Sequence, residues 1–89
     1  MSRLPTPDEI RASVEAYFSV PVVVERRSNT GGRRYLARCV YWAALGAAGY
    51  NGTEVAELTG ASRTTVYKGI NAAPREYVNA VLANVVLSA

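Results

Sequence analysis

A chain of 89 residues is long enough for one small core and too short for a second domain. It contains no His, a single Asp (Asp8) and a single Cys (Cys39), so the usual metal-ligand clusters and any His-based catalytic triad are excluded, and no internal disulfide can form. The expectation is a protein that is not an enzyme, with no catalytic residues, no bound metal and no cofactor. The net charge is +3, and its distribution says more than its size: Arg26, Arg27, Arg33, Arg34 and Arg38 follow one another with no acid between them, while Asp8, Glu9 and Glu15 lie near the start. The first residues lack the apolar centre of a signal peptide, and the apolar runs are too short to span a bilayer. A soluble protein of the cytoplasm, associated with the nucleoid, is the expectation.

Taken in order, residues 1–5 read as a loose end. Thr6-Pro7-Asp8-Glu9 then starts a helix, with Thr as N-cap, Pro at the first position and Glu at the third. Ile10, Val14, Tyr17 and Phe18 share one face of it, facing the core, with Glu9, Arg11, Ser13 and Glu15 elsewhere. Pro21 and Val22-Val23-Val24 have the composition of a strand but nothing to pair with, so a packed connector or one helical turn is expected there and no sheet. Residues 26–32, Arg-Arg-Ser-Asn-Thr-Gly-Gly, are a loop by composition, with glycines that allow close approach of its backbone to a partner.

The longest helix is expected from Arg33 to about Ala48. Leu36, Cys39, Val40, Ala43 and Ala47 line one face and Arg34 and Arg38 another, with Tyr41 and Trp42 packing in the core or at its rim. Gly49 ends it. Asn51 with Glu54 then forms a capping-box start; Val55 and Leu58 face inward, Ala56 lets a second helix cross closely, and Gly60 closes the helix in the left-handed conformation. Ser62 caps the next helix, which buries Val66 and Ile70 and leaves Arg63, Thr64, Tyr67, Lys68 and Asn71 outside.

The skeleton of Ala56, Gly60 and Val66 over residues 51–73 is that of a helix-turn-helix, in which the start of the second helix meets base edges in the major groove. Arg63, Thr64, Thr65 and Lys68 are donors without an acid among them, as a surface meeting phosphates and guanines requires. Pro74 either stops this helix or opens another, and a final helix over residues 74–87 carries Val78, Val81, Leu82, Val85 and Val86. Its apolar stripe closes the core or serves a protein partner or second copy through residues 78–86.

The order of these pieces from residue 10 to about 73 resembles the C-terminal double-stranded-DNA-binding domain of the bacterial replication initiator DnaA. Ile10, Val14, Tyr17 and Phe18 stand where that domain has its first helix, Arg26-Arg27-Ser28 resembles its basic loop, and Arg38 opens a similar central helix of small and apolar residues. Glu54-Val55-Ala56 and Arg63-Thr64-Thr65-Val66 resemble its motif, the latter the end of an Asp-His-Thr-Thr-Val signature in which Ser62 and Arg63 replace the Asp and His. The basic loop is shorter by about three residues and the turn by about one. The resemblance implies that Arg26 or Arg27 enters a minor groove, that Arg38 contacts phosphate, and that Ser62, Arg63, Thr64, Thr65 and Lys68 read the major groove.

The expected fold is therefore all-α, a single small domain of five or six helices. The expected function is sequence-specific binding of double-stranded DNA by a transcription regulator, with a replication-initiation accessory or a protein-interaction module as alternatives. Nothing resembling the initiator's ATPase is present.

Overall fold

A computed structural model of the chain describes residues 4–19, 22 and 32–85, the side chains of residues 33 and 34 apart. The described residues form five helices and no strand: α1 (Pro7–Phe18), α2 (Gly32–Ala48), α3 (Gly52–Thr59), α4 (Arg63–Ala72) and α5 (Arg75–Ala83). Residues 23–31, including the loop Arg26-Arg27-Ser28-Asn29-Thr30-Gly31 and the connector's Val23 and Val24, lie outside them, as do Val20, Pro21 and Val86.

The helix boundaries follow local chemistry. Thr6 accepts the Glu9 N–H at 3.2 Å while the Glu9 carboxylate accepts the Thr6 N–H at 2.8 Å, so a reciprocal box satisfies two donors at the head of α1. Asn51 and Glu54 repeat the arrangement at the head of α3, at 2.8 and 3.0 Å. Gly60 closes α3 with φ 72°, a conformation that a side chain would strain. Pro74, extended at φ −63° and ψ 131°, is the N-cap of α5 and so opens that helix. α5 stops at Ala83, short of the expected 87, where the Asn84 side-chain amide donates back to the Ala80 carbonyl at 2.8 Å.

Helix α2 is the post around which the others stand. It packs against all four of them, which explains why its second half is apolar nearly all round: Ala37, Cys39, Val40, Tyr41, Trp42, Ala43, Ala44 and Leu45 are all buried. Ile10, Val14, Phe18 and Val22 meet it from the N-terminal side, Val55 and Val66 from α3 and α4, and Val78 and Val81 from α5. Leu36 and Ile70 are partly buried against the same cluster. The α5 stripe thus packs on its own chain, with Leu82 and Val85 also partly buried against the core.

Four expectations about side-chain direction are corrected. Leu58 is 53% exposed. The inward position on that turn of α3 belongs instead to Thr59, which is buried because its hydroxyl donates to the Val55 carbonyl at 2.8 Å and accepts from the Trp42 indole at 3.2 Å. Ser13, expected outside, is buried and donates to the Val81 carbonyl at 2.7 Å, tying α1 to α5. Tyr17, expected inside, is 45% exposed. Its ring stands 5.1 Å from that of Phe18 and 5.9 Å from that of Tyr77, at the edge of the core. Ala47, placed on the core face by spacing, is exposed. Thr59 and Ser13 are buried because each hydroxyl found a carbonyl, a partner that hydropathy alone does not register.

Residues 4 and 5 are less loose than expected, since the Tyr50 hydroxyl donates to the Pro5 carbonyl at 2.9 Å. Gly32 belongs to α2, which starts one residue early with this glycine at φ 78°.

The core also fixes how stability depends on pH. Burial pushes the Cys39 thiol above its ordinary 9.0 and the Tyr41 phenol above 10.0, while Tyr35 is raised first by its hydrogen bond to Cys39. Each group keeps its proton longer in the folded chain, so above its ordinary value the unfolded chain releases the proton first. That contribution to stability is complete below about pH 9 and is lost as pH rises through the folded-state values. Urea midpoints measured from neutral pH upward should decline from about pH 9, and Cys39→Ala should remove the earliest part of the decline; a midpoint constant up to about pH 11 would contradict this.

Candidate nucleic-acid interface

The turn between α3 and α4 comprises Gly60, Ala61 and Ser62. Ser62 caps α4 by accepting the Thr65 N–H at 3.2 Å, and its hydroxyl donates to the Thr65 hydroxyl at 2.9 Å. Two of the expected reading residues are therefore bonded to one another, which orders the first turn of α4 before any partner arrives. Val66 is fully buried and Gly69 is buried behind it, so the opposite side of α4 must face solvent. Ser62, Arg63, Thr64, Thr65, Tyr67, Lys68 and Asn71 are all exposed there.

The electrostatics of this face are one-sided. There is no acid in the first turn of α4, and Arg63 is its first residue, placing a cation where the helix already presents free N–H groups and the positive end of its dipole. Among the described residues the ion pair is Arg11 with Glu15, at 3.6 Å. Neither Arg63 nor Lys68 is neutralised by it.

Arg38 is half-buried on α2. Its guanidinium lies 5.6 Å from the centroid of the Trp42 ring and 6.0 Å from that of Tyr35, so aromatic faces hold it. Its Nε is buried without a hydrogen-bond partner. Arg33 and Arg34 occupy the first turn of α2, which contains no acid; their side chains, and all of Arg26 and Arg27, lie outside the described residues. The structure thus brings together the Ser62 to Lys68 set on one helix face, and anchors Arg38 separately on α2.

Two contacts that set this geometry escape a reading by periodicity. A Cβ on Gly69 would run into Cε3 and Cζ3 of Trp42, and would lie 3.5 Å from the Cys39 sulfur, so α4 reaches α2 only because residue 69 has no side chain. Trp42 therefore touches α4 with one edge of its ring and holds α3 through Thr59 with its N–H. The signal was present as a glycine in mid-helix, which disfavours a helix by about 1 kcal/mol unless close approach requires it. The second contact is between Tyr67 and Gly52: the phenol end of Tyr67 fills the space that a Cβ would take at Gly52, bracing α4 against the start of α3.

Among the described residues, no group of three or more His, Cys, Asp or Glu could hold a metal ion, and no helix is long and apolar enough to cross a membrane. Comparison with protein-family models, curated proteins and solved structures gives no match for this chain.

Proposed function

We propose that this protein binds double-stranded DNA sequence-specifically, as a regulator of transcription, with α4 in the major groove and the basic segment of residues 26–38 on phosphates and in an adjacent minor groove. The observation that carries this reading is the exposed, acid-free face of α4, on which Ser62, Arg63, Thr64, Thr65 and Lys68 stand on a helix fixed from behind by Val66 and Gly69. A rigid element with outward donors is what base reading needs, because disorder in the reader would be removed at the expense of affinity.

The first turn of α2 supports it as well. Arg33 and Arg34 sit at the dipole end that disfavours cations, an arrangement that an external phosphate would offset. Arg38, held within cation–π range of Trp42 and Tyr35, is suited to a phosphate contact because a guanidinium attracted to aromatic rings still offers N–H donors. The resemblance to the DNA-binding domain of DnaA gives the same assignment of surfaces. It extends to the reading head alone, and a replication accessory using this head would be told apart by where its sites lie.

Selection from a random duplex pool tests the proposal. One enriched sequence is expected, with log K falling against log salt at a slope of about −4 if four or five cations meet phosphates at roughly −0.9 each. No enrichment, or a complex insensitive to salt, would overturn it. Arg38→Ala should weaken selected and unrelated duplexes about equally, since phosphate contacts position the protein without reading sequence.

A further inference from the structure

On the DNA-binding reading above, we infer that Tyr67 is a second specificity-determining residue of α4, presenting an apolar ring to the C5-methyl group of a thymine. Arg63, Tyr67 and Asn71 are four residues apart along α4 and form one row on its outer side. The Tyr67 side chain is 51% exposed, a large apolar surface in the middle of an otherwise polar face. Its one hydrogen-bonding atom does not lead outward: the phenol oxygen lies in the space left by the missing Cβ of Gly52, at the first residue of α3. With that end seated, the exposed half of the residue offers a partner ring surface.

The edges of bases in the major groove offer acceptors, donors and one apolar feature, the thymine methyl. Arg63, Thr64, Lys68 and Asn71 match the polar features. Tyr67 matches the methyl. Because the phenol end is already seated at Gly52, less side-chain freedom is lost on binding, and the contact keeps more of its free energy. Gly52 also has no positive φ, so its missing side chain serves the seat for Tyr67 and not a backbone conformation.

The test uses the whole 89-residue chain and the duplex that it selects from a random pool, with each thymine replaced in turn by deoxyuridine, which lacks only the methyl. At one position the replacement should lower affinity about fourfold, the equivalent of one buried methyl. Tyr67→Phe should keep that response and Tyr67→Ala should abolish it. Gly52→Ala, which suits the helix and displaces only the end of the phenol, should weaken the response without touching DNA. Failure to enrich any sequence would overturn the DNA-binding reading and this inference with it. Enrichment of a duplex in which no thymine responds, or an equal response in wild type and Tyr67→Ala, would overturn this inference alone. A loss in Tyr67→Phe as large as in Tyr67→Ala would overturn it too, by assigning the hydroxyl to the DNA.

Discussion

Gly69→Ala should destabilise the protein by about 1–2 kcal/mol net, although helix propensity by itself gives the opposite sign. In mid-helix the exchange gains about 1 kcal/mol from reduced backbone freedom in the unfolded chain. Against this stands the overlap of the new Cβ with Cε3 and Cζ3 of Trp42, an overpacking that typically costs about 1–3 kcal/mol and more where neighbours cannot move. Trp42 is 2% exposed and its indole N–H is held by Thr59 at 3.2 Å, so the ring has little room to give and the upper part of the range applies. Trp42→Ala should cost still more, about 3–5 kcal/mol, since it leaves a large cavity between three helices and removes the indole donor to the buried Thr59 hydroxyl. Urea unfolding of these two variants, of Trp42→Phe and of Gly69→Ala in the Trp42→Phe background checks the mechanism. The alanine should be tolerated better once the larger ring is gone, a positive coupling between positions 42 and 69. A stabilised Gly69→Ala would show that α4 does not rest on the indole.

The second large effect is expected from Arg63→Ala, which should lose about 1–3 kcal/mol on the selected duplex and discriminate poorly at one base pair. Arg63 is exposed at the first position of α4, and a guanidinium offers paired donors to O6 and N7 of a guanine where a neutral imidazole would offer one. The selected site should therefore contain a guanine that this residue reads. Arg26→Ala should spare that guanine and lose a preference for an A·T-rich flank, whose narrow minor groove attracts arginine through its negative potential. Selection repeated with each variant measures both. A selected motif unchanged by Arg63→Ala would remove α4 from the reading role and leave the exposed face of that helix without the function proposed for it.

The helices and most of their starts were legible in the chain itself, whereas the last helix ends at Ala83 and not at the expected 87. Capping boxes at Thr6 and Asn51, the cap at Ser62 and the left-handed Gly60 are local devices: each depends on residues within about four positions, so sequence spacing determines them without reference to the rest of the molecule. The same holds for Val66 inward and Arg63, Thr64 and Lys68 outward on α4, because one helix face follows from a period of 3.6. The basic loop with Arg26 and Arg27 lies outside the described residues.

What tertiary structure alone decided are the pairings between helices. Whether Leu58 or Thr59 turns inward depends on an indole N–H that reaches Thr59 from another helix, and whether Ser13 is buried depends on a carbonyl of α5, 68 residues away. Hydropathy ranks residues by their cost of leaving water alone, whereas a hydroxyl with a partner loses much of that cost. The places of Gly69 under Trp42 and of Tyr67 over Gly52 were decided in the same way: close approach is a property of two surfaces, and a sequence read along one helix contains only one of them.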